Sequence, residues 1–376
     1  MLPLAQALAR RGHGVTIIAP AVHHPEDAGT RVIHGAVPVV HAPAPRTTGP
    51  AAVAELSVSL LRLARAEDPD LLHLFKPKGY GGLAAYIARA TTPRLPLVVD
   101  MDDWEGAGGW NDLLSYPGPA RALFAWQEQD LPRRADAVTV ASRTLESLVW
   151  AMGVSPSRVF YLPNGVAGSP AASGAAESER APGAIGHAAV PRLLLYTRFW
   201  ELDLHALAAA LAAIHQARPA VRITVVGRGE HGEEQELLAL ARRAGFLAMI
   251  DARGWLQPPE IPGVLASAQV ALAPARDTLV NRARCSAKLL ELLGAGLAVV
   301  ASDVGEARSF IQHGASGLLV PSGDPGALAR AVIRLIDDPE LRTRLAAGAR
   351  AAAARFSWDQ LAPSAESAYR LAMGSG

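Results

Sequence analysis

A chain of 376 residues that is 50% hydrophobic and 19% charged is globular for most of its length and too long for one core, so two domains are expected. A formal net charge of +1 gives no electrostatic case for a nucleic-acid partner, and one cysteine, Cys285, excludes an internal disulfide and fits a reducing compartment. No apolar run reaches the roughly 18 residues of a membrane span and no signal peptide is legible, which points to a soluble, cytoplasmic chain with at most peripheral membrane contact.

The first residues, Met1 to Arg11, read as an amphipathic helix, followed by Gly12-His13-Gly14 and an apolar strand from Val15 to Ala19. A parallel α/β domain normally opens with a strand and a glycine-bearing loop, so that first strand is expected upstream of Met1. Strands are then expected at Val37–His41, Leu71–Phe75, Leu97–Asp100, Ala137–Val140 and Val159–Leu162. Helices at about Ala51–Ala66, Gly81–Ala90, Pro119–Leu131 and Thr144–Met152 separate most of them. Apolar runs without polar alternation belong to strands covered on both faces, hence a doubly wound parallel sheet over 1–167. Residues 168–190, small, polar and proline-bearing, read as a linker. Alternation resumes in a second domain over 191–355. Its strands are expected at Leu193–Thr197, Ile223–Val226, Ile250–Arg253, Val270–Ala273, Leu297–Ala301 and Leu318–Val320. A last helix within 356–376 closes the chain.

The stretch Cys285 to Ser302 organises the second domain. Leu289, Leu290 and Leu293 give a short helix its buried face, Ser286 is its N-cap, Gly294 and Gly296 suit a left-handed end, and an apolar strand follows. Free N–H groups and the positive end of the helix dipole collect at Ser286 to Lys288, which suits a phosphate, while Glu291 lies one turn on beside Lys288. Only three basic residues are lysines (Lys76, Lys78 and Lys288); two of them sit in Phe75-Lys-Pro-Lys-Gly-Tyr80, at the end of a strand. Asp100-Met-Asp102-Asp103 ends the next strand; its D-x-D spelling is read as contacts to acceptor hydroxyls and not as a metal site. His73, inside an apolar strand, is read as a satisfied core histidine.

In the second half, Tyr196-Thr-Arg198, Val226-Gly-Arg-Gly229, Gly254-Trp-Leu256, Lys288-Leu-Leu-Glu291, Gly294-Ala-Gly-Leu-Ala-Val-Val-Ala-Ser302 and Gly317-Leu-Leu-Val-Pro321 stand in the order and spacing of a known family. With Arg11-Gly-His-Gly-Val-Thr16 and Leu162-Pro-Asn-Gly-Val166 in the first half, the chain resembles the retaining GT-B glycosyltransferases of the family 4, or group 1, type. The resemblance implies two Rossmann-like domains facing a cleft, with a C-terminal helix crossing back to the first. It implies transfer of a sugar from a UDP- or GDP-sugar to a lipid or glycan acceptor, with retention, no metal and no further cofactor. Arg198 then looks like the arginine that binds the diphosphate, a task suited to a permanently charged fork. Glu291 looks like the second glutamate of the E-x7-E pattern, on the ribose hydroxyls. Arg198, Lys288 and Glu291 form the catalytic set. Gly227, Gly229, Trp255, Leu256, Ser286 and Leu289 complete the donor site, and Lys76, Lys78, Tyr80, Asp102 and Asp103 the acceptor site, the two lysines meeting an anionic acceptor.

The sequence departs from the pattern in three places. The first glutamate of E-x7-E, which usually orients the sugar, falls at Ala283. Trp200-Glu-Leu-Asp203 lacks the family lysine beyond the arginine, a charge that Lys288 supplies in this reading. The first glycine loop is missing. Two other readings accompany these departures: a degenerate, non-catalytic nucleotide-binding or partner subunit, and a nucleotide-sugar 2-epimerase.

Overall fold

The structure is a computed structural model and describes residues 1–22, 24–166 and 191–374; the linker read at 168–190 lies outside them. The chain divides into two compact units. The first comprises the described residues of 1–167 with 283–285 and 358–376, the second those of 168–282 with 286–357.

In the first unit the strands are β1 (Ile17–Pro20), β2 (Arg31–His34), β3 (Val37–Ala42), β4 (Leu72–Phe75), β5 (Leu97–Met101), β6 (Ala137–Val140) and β7 (Val159–Tyr161). They form two sheets, β1-β3-β2 and β4-β5-β6-β7, instead of the single parallel sheet expected. All pairs are parallel except β2–β3. The strand β2, which sequence reading passed over, is exposed at all four residues. It therefore carries none of the buried apolar signal by which the other strands were recognised. Five of five residues in β5 are buried, as continuous Val/Leu runs in parallel sheets should be.

Helices cover both faces. Gly49–Ala66 and Gly79–Thr91 pack together and seal Ala42, Leu56 and Leu60, joined by Ile18 and Tyr80. On the opposite side, Leu2–Arg10 packs beside the C-terminal helix Trp358–Ala372, which returns from the end of the chain to lie on β5, β6 and β7. Arg11 and His13 bond Glu366 of that helix at 2.6 and 3.1 Å, and Ser364 Oγ donates to the Tyr161 carbonyl at 2.7 Å.

The second unit is one six-stranded parallel sheet, ordered β10-β9-β8-β11-β12-β13. Its strands are β8 (Leu193–Tyr196), β9 (Ile223–Val226), β10 (Ile250–Gly254), β11 (Val270–Ala273), β12 (Ala298–Ser302) and β13 (Leu318–Val320). The order reverses at β8, which pairs with β9 on one side and β11 on the other. In open parallel sheets, ligands collect beyond the carboxyl ends of the strands at such a switch point. Helices Leu204–Ala217 and Pro325–Asp337 pack on one face over a core containing Leu195, Leu211, Val225, Leu272, Val300 and Val332. Helices Ala287–Gly294 and Pro339–Ala354 pack together, the latter also touching β12.

Candidate functional site

Residues that follow β8 carry the geometry expected of an anion site. Tyr196 ends the strand half-buried, and Arg198 stands two residues on with its side chain about half exposed (49%), its Nη2 3.5 Å from Glu230. An exposed ion pair of that length contributes little, so the guanidinium is available to a stronger anion. The backbone between them is unusual. Phe199 is fully buried yet adopts φ +68°, a left-handed conformation that a bulky residue holds only at a cost of ~1–3 kcal/mol. Gly227, at φ +132°, lets the neighbouring loop come close: a Cβ there would stand 1.7 Å from the Thr197 carbonyl oxygen. Glycine is required at 227 on both counts.

The helix Ala287–Gly294 starts as its sequence dictates. Ser286 is the N-cap and its hydroxyl accepts the Leu289 N–H at 3.3 Å, while Gly296, not Gly294, supplies the left-handed turn at φ +72°. Leu289 itself is buried and packs the helix down. From the first turn the Lys288 ammonium reaches over the Tyr196 ring, 5.0 Å from its centroid. Burial raises the Glu291 carboxyl above the usual range, with Lys288 pulling the other way. Burial, helped by Glu291, pushes the Tyr196 phenol up to about 12. Tyr196, Lys288 and Glu291 are therefore one cluster, and Arg198 follows Tyr196 on the same strand end.

The remaining donor-site candidates sit on the neighbouring strand ends. Gly229 donates its N–H to Glu234 at 3.0 Å. Trp255, 63% exposed, and Leu256 follow β10, where Gly254 turns the chain at φ +65°. Ala283 is fully buried and carries no polar group to replace the absent glutamate.

In the first unit the acceptor candidates stand at the carboxyl ends of β4 and β5. Lys76 also adopts a left-handed conformation, φ +63°, with its N–H on the Asp100 carbonyl at 3.1 Å. Its ammonium bonds Asp103 and lies 3.6 Å from Asp102; burial opposes the charge, but Asp103 and Asp102 outweigh it and raise the pKa. Lys78 reaches Glu105 at 2.6 Å and the Tyr116 hydroxyl at 2.9 Å, with the Tyr116 and Phe124 rings 4.4 and 4.9 Å away. Both lysines are thus neutralised by carboxylates of the next strand end. Tyr80 packs into the apolar cluster beside Ala42, with burial raising its phenol.

Beneath this rim, His73 is bonded through Nδ1 to Tyr369 at 2.9 Å and kept neutral by burial, its pKa lowered to about 4. Asp100, bonded by Thr139, is pushed up to about 7 by burial and by Asp102.

Glu128 supports the loop after β5, accepting the Glu105 N–H at 2.8 Å, while its Oε2 has no hydrogen-bond partner among the described residues. Burial, with Glu105 adding to it, pushes its carboxyl up to about 8 from the usual 4.5. A raised folded-state value means that stability is present below pH 4.5 and lost as the pH climbs to 8. Thermal unfolding of Glu128→Gln is expected to track wild type below about pH 4.5 and to gain on it progressively up to pH 8.

Comparison with known proteins fixes what this architecture is. Residues 1–165 match the model of a glycosyl transferase 4-like domain and 190–338 that of the glycosyl transferases group 1. The phosphatidyl-myo-inositol mannosyltransferase of Mycolicibacterium smegmatis is 27% identical over 390 residues, spanning 100% of this chain and 90% of the relative. The chain belongs to the GT-B glycosyltransferases. Solved structures agree in fold. Sucrose-phosphate synthase from Thermosynechococcus elongatus superposes with a TM-score of 0.74 at 19% identity, covering 99% of this chain and 92% of its own. HepE of Anabaena, solved with UDP and glucose, gives 0.62 at 21% identity over 88% and 85%.

Within this glycosyltransferase the strand-end reading brings Arg198, Gly227, Lys288 and Glu291 to one end of one sheet. It held Tyr196 within a motif but gave it no role, although the signal was present: an aromatic closing an otherwise aliphatic strand, two residues before the arginine. It also overlooked Glu105, Tyr116 and Phe124 around Lys78, which come from a loop and a helix with no spacing that announces them.

Proposed function

We propose that the second unit binds a UDP- or GDP-sugar and that the sugar passes, with retention, to a lipid or glycan acceptor held by the first. The observation that carries this reading is the clustering of Lys288 and Glu291 on Tyr196 at the carboxyl end of β8, two residues before Arg198. Arg198, Lys288 and the capped helix at Ser286 face the negative charge that develops on a departing diphosphate, which fixed cations and dipoles stabilise best. Glu291, on the exposed side of its helix, accepts from ribose hydroxyls, and Trp255 with Leu256 flanks the base. The anomeric carbon loses its bond to the diphosphate oxygen. The acceptor oxygen bonds the same face, and its proton passes to that diphosphate oxygen, so no side-chain nucleophile and no metal is required.

Asp102 and Asp103, with Lys76 between them, meet the hydroxyl-bearing end of the acceptor. The M. smegmatis relative acts on phosphatidyl-myo-inositol by its name, which supports a lipid acceptor. Among the described residues no helix is long and apolar enough to cross a bilayer, so contact with lipid is peripheral in this reading. The test is donor depletion with a panel of UDP- and GDP-sugars, with and without a chelator, beside titration of UDP and GDP. Chelator-insensitive turnover with a retained anomer in the product is the expected result; an inverted product, or manganese dependence, would overturn the mechanism.

A further inference from the structure

Arg198 lies on a loop whose shape is held by a residue that neither the sequence pattern nor the family comparison singles out. Glu201 is 5% exposed. Its Oε1 accepts the Thr197 hydroxyl at 3.0 Å and the Arg198 N–H at 3.2 Å. Thr197 Oγ in turn accepts the Phe199 N–H at 2.8 Å. One carboxylate oxygen thereby closes the turn that contains the left-handed Phe199. Strain of that kind persists only where surrounding bonds over-determine it. The same residue works through its main chain: the Glu201 carbonyl accepts the Arg276 N–H at 2.9 Å and Asn281 Nδ2 at 3.1 Å, while the Arg276 guanidinium holds the Trp200 carbonyl at 2.7 Å. Segment 276–281 is thus tied to the arginine loop through the main-chain carbonyls of Trp200 and Glu201.

We propose that Glu201 is a positioning residue for the donor diphosphate: it fixes the backbone from which Arg198 projects, so that the guanidinium meets the anion without reorganisation. The proposal rests on the donor-site reading above. A buried carboxylate that merely folded the loop would lower stability and weaken every ligand of the unit alike. A positioning role predicts a split between the diphosphate and the rest of the nucleotide. The absence of the family lysine in Trp200–Asp203 sharpens the demand, since fewer cations then share the charge and the placement of Arg198 matters more.

The experiment is calorimetric titration of the full chain with UDP and GDP, and of uridine and guanosine by saturation-transfer NMR. For Glu201→Ala the diphosphate that binds wild type is expected to bind about 10-fold more weakly, the loss of one charge-assisted bond, with its nucleoside changed less than about twofold. Glu201→Gln, which keeps an acceptor oxygen, is expected to recover to within about threefold. In an Arg198→Met background, Glu201→Ala is expected to add less than about twofold, because the group it places is gone. Equal weakening of diphosphate and nucleoside, additive losses in the double variant, or unchanged diphosphate affinity would each overturn the proposal. If Glu201→Ala does not fold, Thr197→Val, which removes the hydroxyl that joins Glu201 to the Phe199 N–H, carries the same comparison. A wild type that binds neither diphosphate refutes the donor-site reading itself, an outcome separate from any difference among variants.

Discussion

Replacing Arg198 by methionine is expected to weaken UDP or GDP binding by about 10- to 150-fold while leaving the melting temperature within a degree or two of wild type. The magnitude follows from removing a charge-assisted contact worth roughly 1.5–3 kcal/mol. The small effect on stability follows from exposure: the side chain is about half exposed, and its one ion pair, to Glu230 at 3.5 Å, is long and solvated. Lysine at 198 should recover only part of the loss, because a point charge cannot bridge two phosphate oxygens as a planar fork does. Calorimetry with UDP and GDP, paired with thermal unfolding, reads both quantities. An unchanged affinity would remove Arg198 from the site.

Gly227→Ala has the opposite signature. The new methyl would sit 1.7 Å from the Thr197 carbonyl oxygen and 2.9 Å from its carbon, on a backbone at φ +132° that only glycine adopts without strain. Backbone cannot swing aside as a side chain does, so strand end and loop must separate. We expect a loss of about 3 kcal/mol or more, which at about 3 °C per kcal/mol for a unit of this size lowers the melting temperature by roughly 10 °C. Nucleotide binding should fall with it, since Thr197 and Arg198 share that loop. Gly229→Ala is the contrast: its Cβ would meet the carboxylate ends of Glu233 and Glu234, at 2.1 and 3.0 Å, which can rotate away. It should cost little stability. Two substitutions of equal destabilisation would show that the close approach at Thr197 is not what glycine 227 provides.

Much of the second unit was legible because its strands, the edge strand β10 apart, are short, largely apolar and buried, and such strands announce themselves by composition alone. The spans read at Ile223–Val226, Val270–Ala273 and Leu318–Val320 coincide with β9, β11 and β13, and Ser286 caps the helix it was expected to cap. In the first unit the exposed strand β2 offered no such signal, and the partition of the strands into two sheets depends on pairings that periodicity does not encode. At the candidate site, residue types singled out the arginine, the lysine and the glutamate. What they could not convey is the direction each side chain takes. Lys76 and Lys78 look like an open basic turn in one dimension. In three, each is met by a carboxylate from a strand end some 27 residues further on. In the proposed acceptor site, that replaces a cationic patch for a phosphate with a mixed rim whose carboxylates can accept hydrogen bonds from hydroxyls.

The helix Trp358–Ala372 belongs to the first unit although it follows the whole second unit in the chain. Tyr369, on that helix, supplies the hydroxyl that His73 requires, and Glu366 the partner of Arg11 and His13. During synthesis at ~5–20 residues per second, the second unit is therefore complete while the first still lacks one wall. The amino-terminal half matures only after residues 358–372 have emerged from the ribosome, and until then its unclad strands are exposed to whatever helper proteins attend the nascent chain.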